Sequence, residues 1–211
     1  MDSFIHPTAI VHPSVNLGSA NYIGPYCFIG ENVIIGEGNR FESHVCIGAP
    51  PEKHGCFTLE HGPGVLIGSH NFFREFVTVH AGAQRYTRIS DQCYLLRGSH
   101  VGHDSWIEDS VTISCSVLVG GESFIMTGAN IGLGAALHQR SLVGSFSMIG
   151  MNATITKGQQ ITPGCIYIGS PARYMKENAI GLKRHNVDEL ILNDEMNRWR
   201  ELWTAMHEWK K

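Results

Sequence analysis

The sequence has no apolar run of the roughly 18 or more residues that a membrane-spanning helix requires. Its first residues, MDSFIHPTAIV, contain no cationic segment followed by an apolar stretch. We therefore expect no membrane span and no signal peptide, and a cytoplasmic location. Excess charge of one sign is also absent, because the formal net charge is only -3. A basic field that favours nucleic acid as a partner is thus excluded.

Paired cysteines are missing as well. The six cysteines include no CxxC pair, which disfavours a zinc knuckle or a thioredoxin-type site. The chain of 211 residues is 43% hydrophobic and 17% charged. These values are typical of a globular protein and exclude extensive disorder. The length fits one sizeable domain, or one domain with a short appendage.

An aliphatic or aromatic residue recurs at every sixth position of the sequence. Within each six-residue unit, which we call a hexad, the second position is often glycine and the fifth is usually small. The first positions of the longest unbroken series are Ile89, Leu95, Val101, Ile107, Ile113, Val119, Ile125, Ile131, Leu137, Val143, Ile149, Ile155 and Ile161. Internal repeats of this kind indicate a solenoid, in which each unit packs only against its neighbours.

Three hexads complete one turn of 18 residues, and successive turns stack at the strand spacing of about 4.8 Å. The sequence therefore predicts an all-β parallel solenoid of about seven coils between Ile5 and about Ile168. Glycine at the second position is expected to relieve corner dihedral angles that are unfavourable for a Cβ atom. Small cysteines at fifth positions are expected to fill the core. These are Cys27, Cys93 and Cys165.

Two insertions interrupt the repeat, at Lys53–Leu66 and by four extra residues between Val79 and Ile89. Loops on a rigid scaffold often carry function. The hexads end near Pro171, so we expect a β-helix domain over 1–172 and a helical extension over 173–211. Asn186 is the expected N-cap of a helix whose apolar stripe packs on the coil or on a neighbouring subunit.

The 18-residue period identifies which side chains share an edge of the coil. After correction for the four extra residues, one corner edge carries six of them, spread over about 14 Å. They are His80, His103, Gly120, Gly121, His138 and Gln139. His100 lies on the flank that approaches this edge. Imidazoles suit proton abstraction, and glycines let a ligand approach backbone N–H groups. Asp104 follows His103 and is expected to orient its ring.

Several longer segments carry a specific resemblance. The segments that carry it include FREFVTVHAG, LLRGSHVGHDSWIEDS, GLGAALHQRSLVG and NAIGLKRHN, and their combination is specific to one family. Over residues 3–186 the chain resembles the UDP-N-acetylglucosamine acyltransferases that begin lipid A synthesis. The resemblance implies that the solenoid is left-handed, whereas the general crossover rule alone favours a right hand.

The resemblance also implies an activity. These enzymes transfer a 3-hydroxyacyl group from the phosphopantetheine thioester of acyl carrier protein to a sugar hydroxyl, without a bound cofactor or metal. His103 is similar to their general base, Asp104 to its supporting acid, and Gly120 to the glycine whose N–H stabilises the oxyanion. The resemblance further implies a homotrimer, with clefts between neighbouring coils. The residues that match cleft-lining positions are His80, His100, His138 and Gln139.

The chain departs from the family at the positions that contact the acceptor. The sugar-binding PQDxK motif is replaced by Pro51–Gly55, and Gly121 replaces the histidine that follows the oxyanion glycine. Asn178 and Arg184 match nucleotide contacts, but Ile180 replaces a glutamate and His185 an arginine. Loss of hydrogen-bonding partners changes specificity strongly. We therefore expect a short, divergent member or a paralogue that acts on another sugar nucleotide.

The remaining alternatives concern the donor and the class of enzyme. Met151 stands at the family's acyl-chain ruler position, so we expect a donor of about ten carbons or fewer. Acyl-CoA as donor, and N-acylation in place of O-acylation, stay open. Other readings are an acetyl-CoA-dependent sugar N-acetyltransferase, a scaffold without activity, and a γ-class carbonic anhydrase-like zinc protein with His80, His100 and His103 as ligands.

Overall fold

A computed structural model describes residues 2–52 and 62–208, with side chains up to Met206. The predicted counterparts of the sugar-binding motif at Lys53, His54 and Gly55 lie outside the described residues. The described chain forms twenty-six short strands, numbered in chain order, followed by two helices. Each hexad contributes one short strand and one turn, as the repeat predicted.

The strands form three sheets, one on each side of the coil. The first sheet contains β1 (Phe4–Ile5), β4 (Tyr22–Ile23), β7 (Arg40–Phe41), β10 (Phe72–Phe73), β13 (Tyr94–Leu95), β16 (Thr112–Ile113), β19 (Asn130–Ile131), β22 (Met148–Ile149), β25 (Cys165–Ile168) and β26 (Arg173–Glu177). The second contains β2 (Ile10–Val11), β5 (Phe28–Ile29), β8 (Cys46–Ala49), β11 (Thr78–His80), β14 (His100–Val101), β17 (Leu118–Val119), β20 (Ala136–Leu137) and β23 (Thr154–Ile155). The third contains β3 (Asn16–Leu17), β6 (Val33–Ile35), β9 (Val65–Ile67), β12 (Thr87–Ile89), β15 (Trp106–Ile107), β18 (Phe124–Ile125), β21 (Leu142–Val143) and β24 (Gln160–Ile161).

The coil count differs from the prediction. The second and third sheets each have eight strands, so the coil makes eight complete turns and begins a ninth with β25. The prediction of about seven coils was too low because the insertions do not interrupt stacking. Strand β6 pairs with β9, and β8 pairs with β11, in parallel across the first insertion.

The interior matches the hexad phase. All thirteen first-position residues from Ile89 to Ile161 are buried, and the most exposed of them, Leu137, is only 4% exposed. Cys27 and Cys93 are buried in the same core, and Cys165 packs partly buried against it. The prediction that these positions point inward is confirmed.

The expected reason for glycine at the second hexad position, relief of corner dihedral angles, is wrong. The left-handed φ angles lie at the fourth hexad position, as at Tyr26 (φ 57°) and Asp104 (φ 61°), and not generally at the second. At several second-position glycines the adjacent coil approaches closely. A Cβ atom at Gly24 would lie 2.8 Å from the Phe41 carbonyl oxygen, and one at Gly30 would lie 2.5 Å from that of Gly48. The constraint is steric contact between coils.

The C-terminal segment begins with a strand that the sequence did not predict, because β26 runs antiparallel to β25. Helices α1 (Ala179–Arg184) and α2 (Glu189–Glu208) follow. The predicted N-cap at Asn186 is wrong. The Asp188 carboxylate accepts the N–H of Ile191 at 2.9 Å and caps α2. The boundary between residues 1–172 and 173–211 stays a prediction.

Helix α2 packs on the third sheet of the coil. Trp199 and Met206 bury their side chains in a cluster with Phe124, Met126 and Leu142. This contact bears out the expectation that the apolar stripe packs against the coil. In the part of the chain that the structure describes, no helix is both long and apolar enough to cross a lipid bilayer.

Candidate active site

A cleft of about 740 Å³ opens on the second sheet and on the corner that follows it. Seven of the sequence-predicted site residues line it together: His80, His100, His103, Gly120, Gly121, His138 and Gln139. Apolar side chains of β17 and β20 supply part of its floor, among them Leu118 and Ala136. An apolar floor beside an imidazole ladder suits a ligand with both a chain and a polar group.

The register explains why these residues meet. Thr78 pairs with His100, and Val79 with Val101, so the next residue, His80, lies one coil before Gly102 despite the four extra residues between them. Val101 pairs with Val119 and Val119 with Leu137, which stacks the three following corners. The sequence period of 18 therefore predicted the edge.

Three other predicted residues do not line the cleft. Met151 is 67% exposed at the corner before β23, and Arg184 lies in the last turn of α1. Both polar atoms of the Asn178 side chain already make hydrogen bonds within the fold. Its oxygen accepts the N–H of Gly181 at 3.1 Å, and its amide donates to the Phe146 carbonyl at 2.8 Å. Asn178 caps α1, which leaves the predicted nucleotide contact without support from the structure.

His103, which lines the cleft, forms a close pair with the buried Asp104. His103 Nδ1 lies 2.7 Å from Asp104 Oδ2, and the histidine side chain is 12% exposed. The left-handed φ of Asp104 turns its carboxylate back toward the preceding ring, and aspartate tolerates this conformation better than most residues. With Nδ1 directed at a carboxylate, Nε2 is the nitrogen left for a ligand.

The carboxylate of Asp104 is itself held by the second insertion. Its Oδ1 accepts three backbone N–H groups, from Ala83 at 3.0 Å, Gln84 at 2.9 Å and Arg85 at 2.8 Å. Burial alone would raise the pKa of Asp104. The bond from His103 and the N–H groups of Arg85 and Gln84 outweigh burial and lower the pKa from 3.8 to about 2. The acid is therefore ionised throughout the neutral range.

Gly120, the oxyanion donor that the resemblance implies, has a backbone N–H that the coil itself uses. Its N–H already donates to the Leu137 carbonyl at 3.0 Å, as part of the bonding between coils. At the next residue the situation differs. Among residues 2–52 and 62–208, the N–H of Gly121 has no acceptor within hydrogen-bonding distance. Gly121 therefore offers the open donor beside His103, and the residue that follows it is Glu122, which pairs with Arg140.

A sequence signal for this assignment exists at the third hexad position. Prolines, which lack an N–H, occupy this position at Pro7, Pro13, Pro25 and Pro163. Some third-position N–H groups in the described coil donate to outward carboxylates, namely those of Ser69, Asp91 and Thr127. Ser69 donates to Asp91 at 2.7 Å, for example. The third position is thus the place where a backbone N–H remains available to an anion.

Glycine at Gly121 is also unusual for the third hexad position. Third positions elsewhere carry residues as different as Pro25, Arg97, Leu133 and Lys157, so the backbone there accepts a side chain. At Gly121, however, a Cβ atom would lie 2.8 Å from His103 Nε2. Glycine is required at this place because the catalytic candidate occupies the space.

Glu52, His80 and His100 form a second polar group in the cleft. One donor atom from each residue lies within 4.8 Å of the other two. Burial, the largest cause, lowers the pKa of both histidines, and for His80 the nearby His100 adds to the shift. Neutral imidazoles and a carboxylate can hold a metal ion. From the sequence, Glu52 was expected only within the altered sugar-binding motif, because the 18-residue period does not relate it to His80 or His100.

Curated relatives of the chain share one description. An acyl-[acyl-carrier-protein]–UDP-N-acetylglucosamine O-acyltransferase from Syntrophobacter fumaroxidans is 32% identical, and the match covers 95% of this chain and 85% of that protein. The protein of the same description from Thermodesulfovibrio yellowstonii is also 32% identical, with 90% and 80% covered. No protein-family model matches the chain.

Solved structures agree with the relatives. The UDP-N-acetylglucosamine O-acyltransferase of Moraxella catarrhalis superposes with a TM-score of 0.80 at 25% identity, covering 93% of this chain and 83% of that one. The Bacteroides fragilis enzyme gives 0.76 at 28% identity, with 93% and 84% covered. The coil shares the left-handed parallel β-helix fold of these structures.

Proposed function

The chain belongs to the acyl-[acyl-carrier-protein]–UDP-N-acetylglucosamine O-acyltransferase family and is an acyltransferase, and from this we propose that it moves a 3-hydroxyacyl group from a phosphopantetheine thioester to a nucleotide-linked sugar. One observation carries the proposal. The His103–Asp104 pair, joined at 2.7 Å, faces a cleft in which the N–H of Gly121 is open. A base and an oxyanion donor are the two groups that acyl transfer needs.

In the proposed first step, His103 is the general base. The ionised Asp104 holds a proton on Nδ1, so Nε2 accepts the proton of the sugar hydroxyl. The hydroxyl oxygen then attacks the thioester carbonyl carbon. Three loop amides on Asp104 Oδ1 keep the carboxylate oriented, and the imidazolium that forms is stabilised by the adjacent negative charge.

In the proposed second step, the tetrahedral oxyanion accepts the N–H of Gly121. Such a donor is worth about 3 kcal/mol in the transition state. The intermediate collapses, the carbon–sulfur bond breaks, and His103 returns the proton to the leaving thiolate. Every proton is accounted for by His103 alone, so the chemistry needs no metal and no bound cofactor.

Acyl carrier protein is the proposed donor partner, with acyl-CoA as the alternative. The acyl chain would lie along the apolar floor formed by Leu118 and Ala136 and run toward Met151 at the other edge of the second sheet. A methionine there fills the volume of several methylene groups. A donor of about ten carbons or fewer follows, since a longer chain would overpack this end.

The acceptor is the part of the proposal that departs from the relatives. Ile180 is 76% exposed on α1, and the His185 ring stacks on Phe146 with centroids 5.4 Å apart. An exposed aliphatic side chain offers no hydrogen bond to a base. Together with the capping role of Asn178, this supports a nucleotide site altered from that of the family, and hence a divergent enzyme or paralogue.

A homotrimer stays part of the proposal. Leu118 is 54% exposed and Leu133 46% exposed on the face that carries the cleft. A neighbouring coil would cover these side chains and close the cleft around a chain. A monomer by light scattering with full activity would contradict this. The cytoplasmic location expected from the sequence stays a prediction.

The deciding experiment is product analysis. Purified enzyme is offered acyl carrier protein and CoA thioesters of several lengths with a panel of nucleotide sugars, and products are identified by mass spectrometry. We expect a 3-hydroxyacyl ester on one sugar nucleotide, formed without added metal and in the presence of EDTA. An acetamide formed from acetyl-CoA would instead establish the N-acetyltransferase alternative.

A further inference from the structure

We propose that Glu52, His80 and His100 bind one divalent transition-metal ion of the zinc class, and that the bound ion keeps substrate out of the cleft. The donor atoms of the three residues lie within 4.8 Å of one another. Two imidazoles and one carboxylate are a donor set that zinc prefers. The second half of the inference rests on the proposed function, whereas the first half does not.

An unpartnered nitrogen is the first independent support. His80 is only 9% exposed, and its Nδ1 is buried with no hydrogen-bond partner among residues 2–52 and 62–208. A buried polar atom without a partner costs about 1–3 kcal/mol. Such an atom in a cleft indicates that a ligand completes the site, because native structures contain few such groups.

The second support is the way His100 is held. Its Nδ1 lies 2.8 Å from the Thr78 hydroxyl, which fixes the ring orientation and leaves Nε2 for another ligand. Metal-binding histidines are held in this manner by their second nitrogen. Its ring also meets that of His80 edge to face, with centroids 4.7 Å apart, so the two rings converge on one region of the cleft.

The geometry permits binding. Donors around tetrahedral zinc lie about 3.4 Å apart, given zinc–ligand bonds of about 2.0–2.1 Å. Since the three donor atoms lie within 4.8 Å of one another, they must close by about 1.4 Å at most. The exposed Glu52 side chain can supply most of that movement.

An ion at this site would inhibit. Three protein ligands leave a fourth position open, and all three of them line the same cleft as His103, so the ion would occupy space in that cleft. A dication held there would also repel the positive charge that the proposed first step places on His103, in addition to blocking substrate.

The test measures binding on the substrate-free protein. Zinc titrated by calorimetry should give one ion per chain, and cobalt(II) should give the visible absorption of a four-coordinate site. Glu52→Gln and His100→Gln should each weaken binding by at least tenfold. Matched controls come from a surface pair in which His12 Nε2 lies 3.3 Å from Glu31. His12→Gln and Glu31→Gln should leave binding unchanged.

Three results would overturn the inference. They are no binding at micromolar zinc, loss of binding in His12→Gln or Glu31→Gln, and loss in His103→Ala with full binding in Glu52→Gln. Inhibition is tested separately, as a loss of wild-type activity with zinc that EDTA reverses. Zinc binding without any acyl transfer would contradict the proposed function but not the metal site. Acyl transfer without zinc binding would contradict the metal site but not the proposed function.

Discussion

Two corners of the same coil treat their backbone amides differently. At the corner after the third sheet, which we call the acidic corner, Asp91 N–H donates to Asp109 at 2.9 Å and Thr127 N–H to Glu108 at 3.0 Å. At the corner after the second sheet, the site corner, Gly121 N–H has no acceptor in the described chain. Carboxylates thus fill the amides of Asp91 and Thr127 at the acidic corner, whereas the amide of Gly121 is left open beside His103 at the site corner.

The largest expected effect comes from removing the base at the site corner. His103→Ala should lower turnover by about two to four orders of magnitude, because the hydroxyl would lose its proton acceptor. The free energy of unfolding should change little. Steady-state kinetics and urea unfolding measure the two effects. Near-normal activity would show that the base lies elsewhere, and His100 would then be the first candidate.

The next effect concerns the open amide. Gly121→Ala places a Cβ atom 2.8 Å from His103 Nε2, so the ring or the backbone must move and turnover should fall about a hundredfold or more. The control is Cys115→Ala, at the third position of the corner after the first sheet, where activity should persist. If Gly121→Ala keeps normal turnover, the oxyanion donor has been assigned wrongly.

Loss of the supporting acid should cost less activity than loss of the base. Asp104→Asn disturbs ring orientation while His103 remains. Its effect on stability depends on pH. The folded-state pKa of about 2 lies below the ordinary 3.8, so the carboxylate contributes about 2 kcal/mol above about pH 4, and this contribution is lost as pH falls through 2. The stability difference between wild type and Asp104→Asn should therefore shrink below pH 4, as acid-unfolding curves would reveal.

A smaller effect is expected at the corner after the first sheet. Met151→Gly should move the donor preference toward longer chains, by about tenfold in relative kcat/KM, because the side chain that we propose limits the acyl chain is removed. Competition between short and long thioesters gives the ratio directly. An unchanged ratio would mean that Met151 is a surface or trimer-packing residue.

The smallest effect belongs to the acidic corner. Asp109→Ala removes the acceptor of the Asp91 N–H and should lower the free energy of unfolding by about 1 kcal/mol or less, since water can replace an exposed acceptor. Activity should be unchanged. A large activity loss would mean that the acidic corner affects the site corner, which would contradict the difference between the two.

The hexad phase was sufficient for the fold and for the edge that carries the site. A period of 18 residues fixes which side chains stack, so His80, His103 and Gln139 could be placed on one edge from sequence alone. The phase alone could not show which backbone N–H groups form hydrogen bonds between coils, and the family resemblance implied Gly120, not Gly121, as the oxyanion donor. The prolines at third positions, which have no N–H, indicated that the coil does not need a backbone donor at that position.

Features outside the repeat were beyond the sequence analysis. The three amides that hold Asp104 come from an insertion without periodicity, and the strand β26 follows the last hexad. Glu52 meets His80 and His100 only through the coil's three-dimensional path. The repeat predicts which residues stack on one another, but it predicts nothing about segments outside the stacked coils.

The loop that holds Asp104 gives the enzyme two separate stabilities. The coil is a stack in which every inner turn is braced by two neighbours, whereas residues 83–85 lie in an insertion that donates three backbone N–H groups to one Asp104 oxygen, with Arg85 Nε donating to the Asp104 carbonyl at 2.9 Å. Such a segment can open locally while the stack stays intact. A heated sample that retains its β-structure is therefore expected to lose the proposed catalytic pair before it loses the coil.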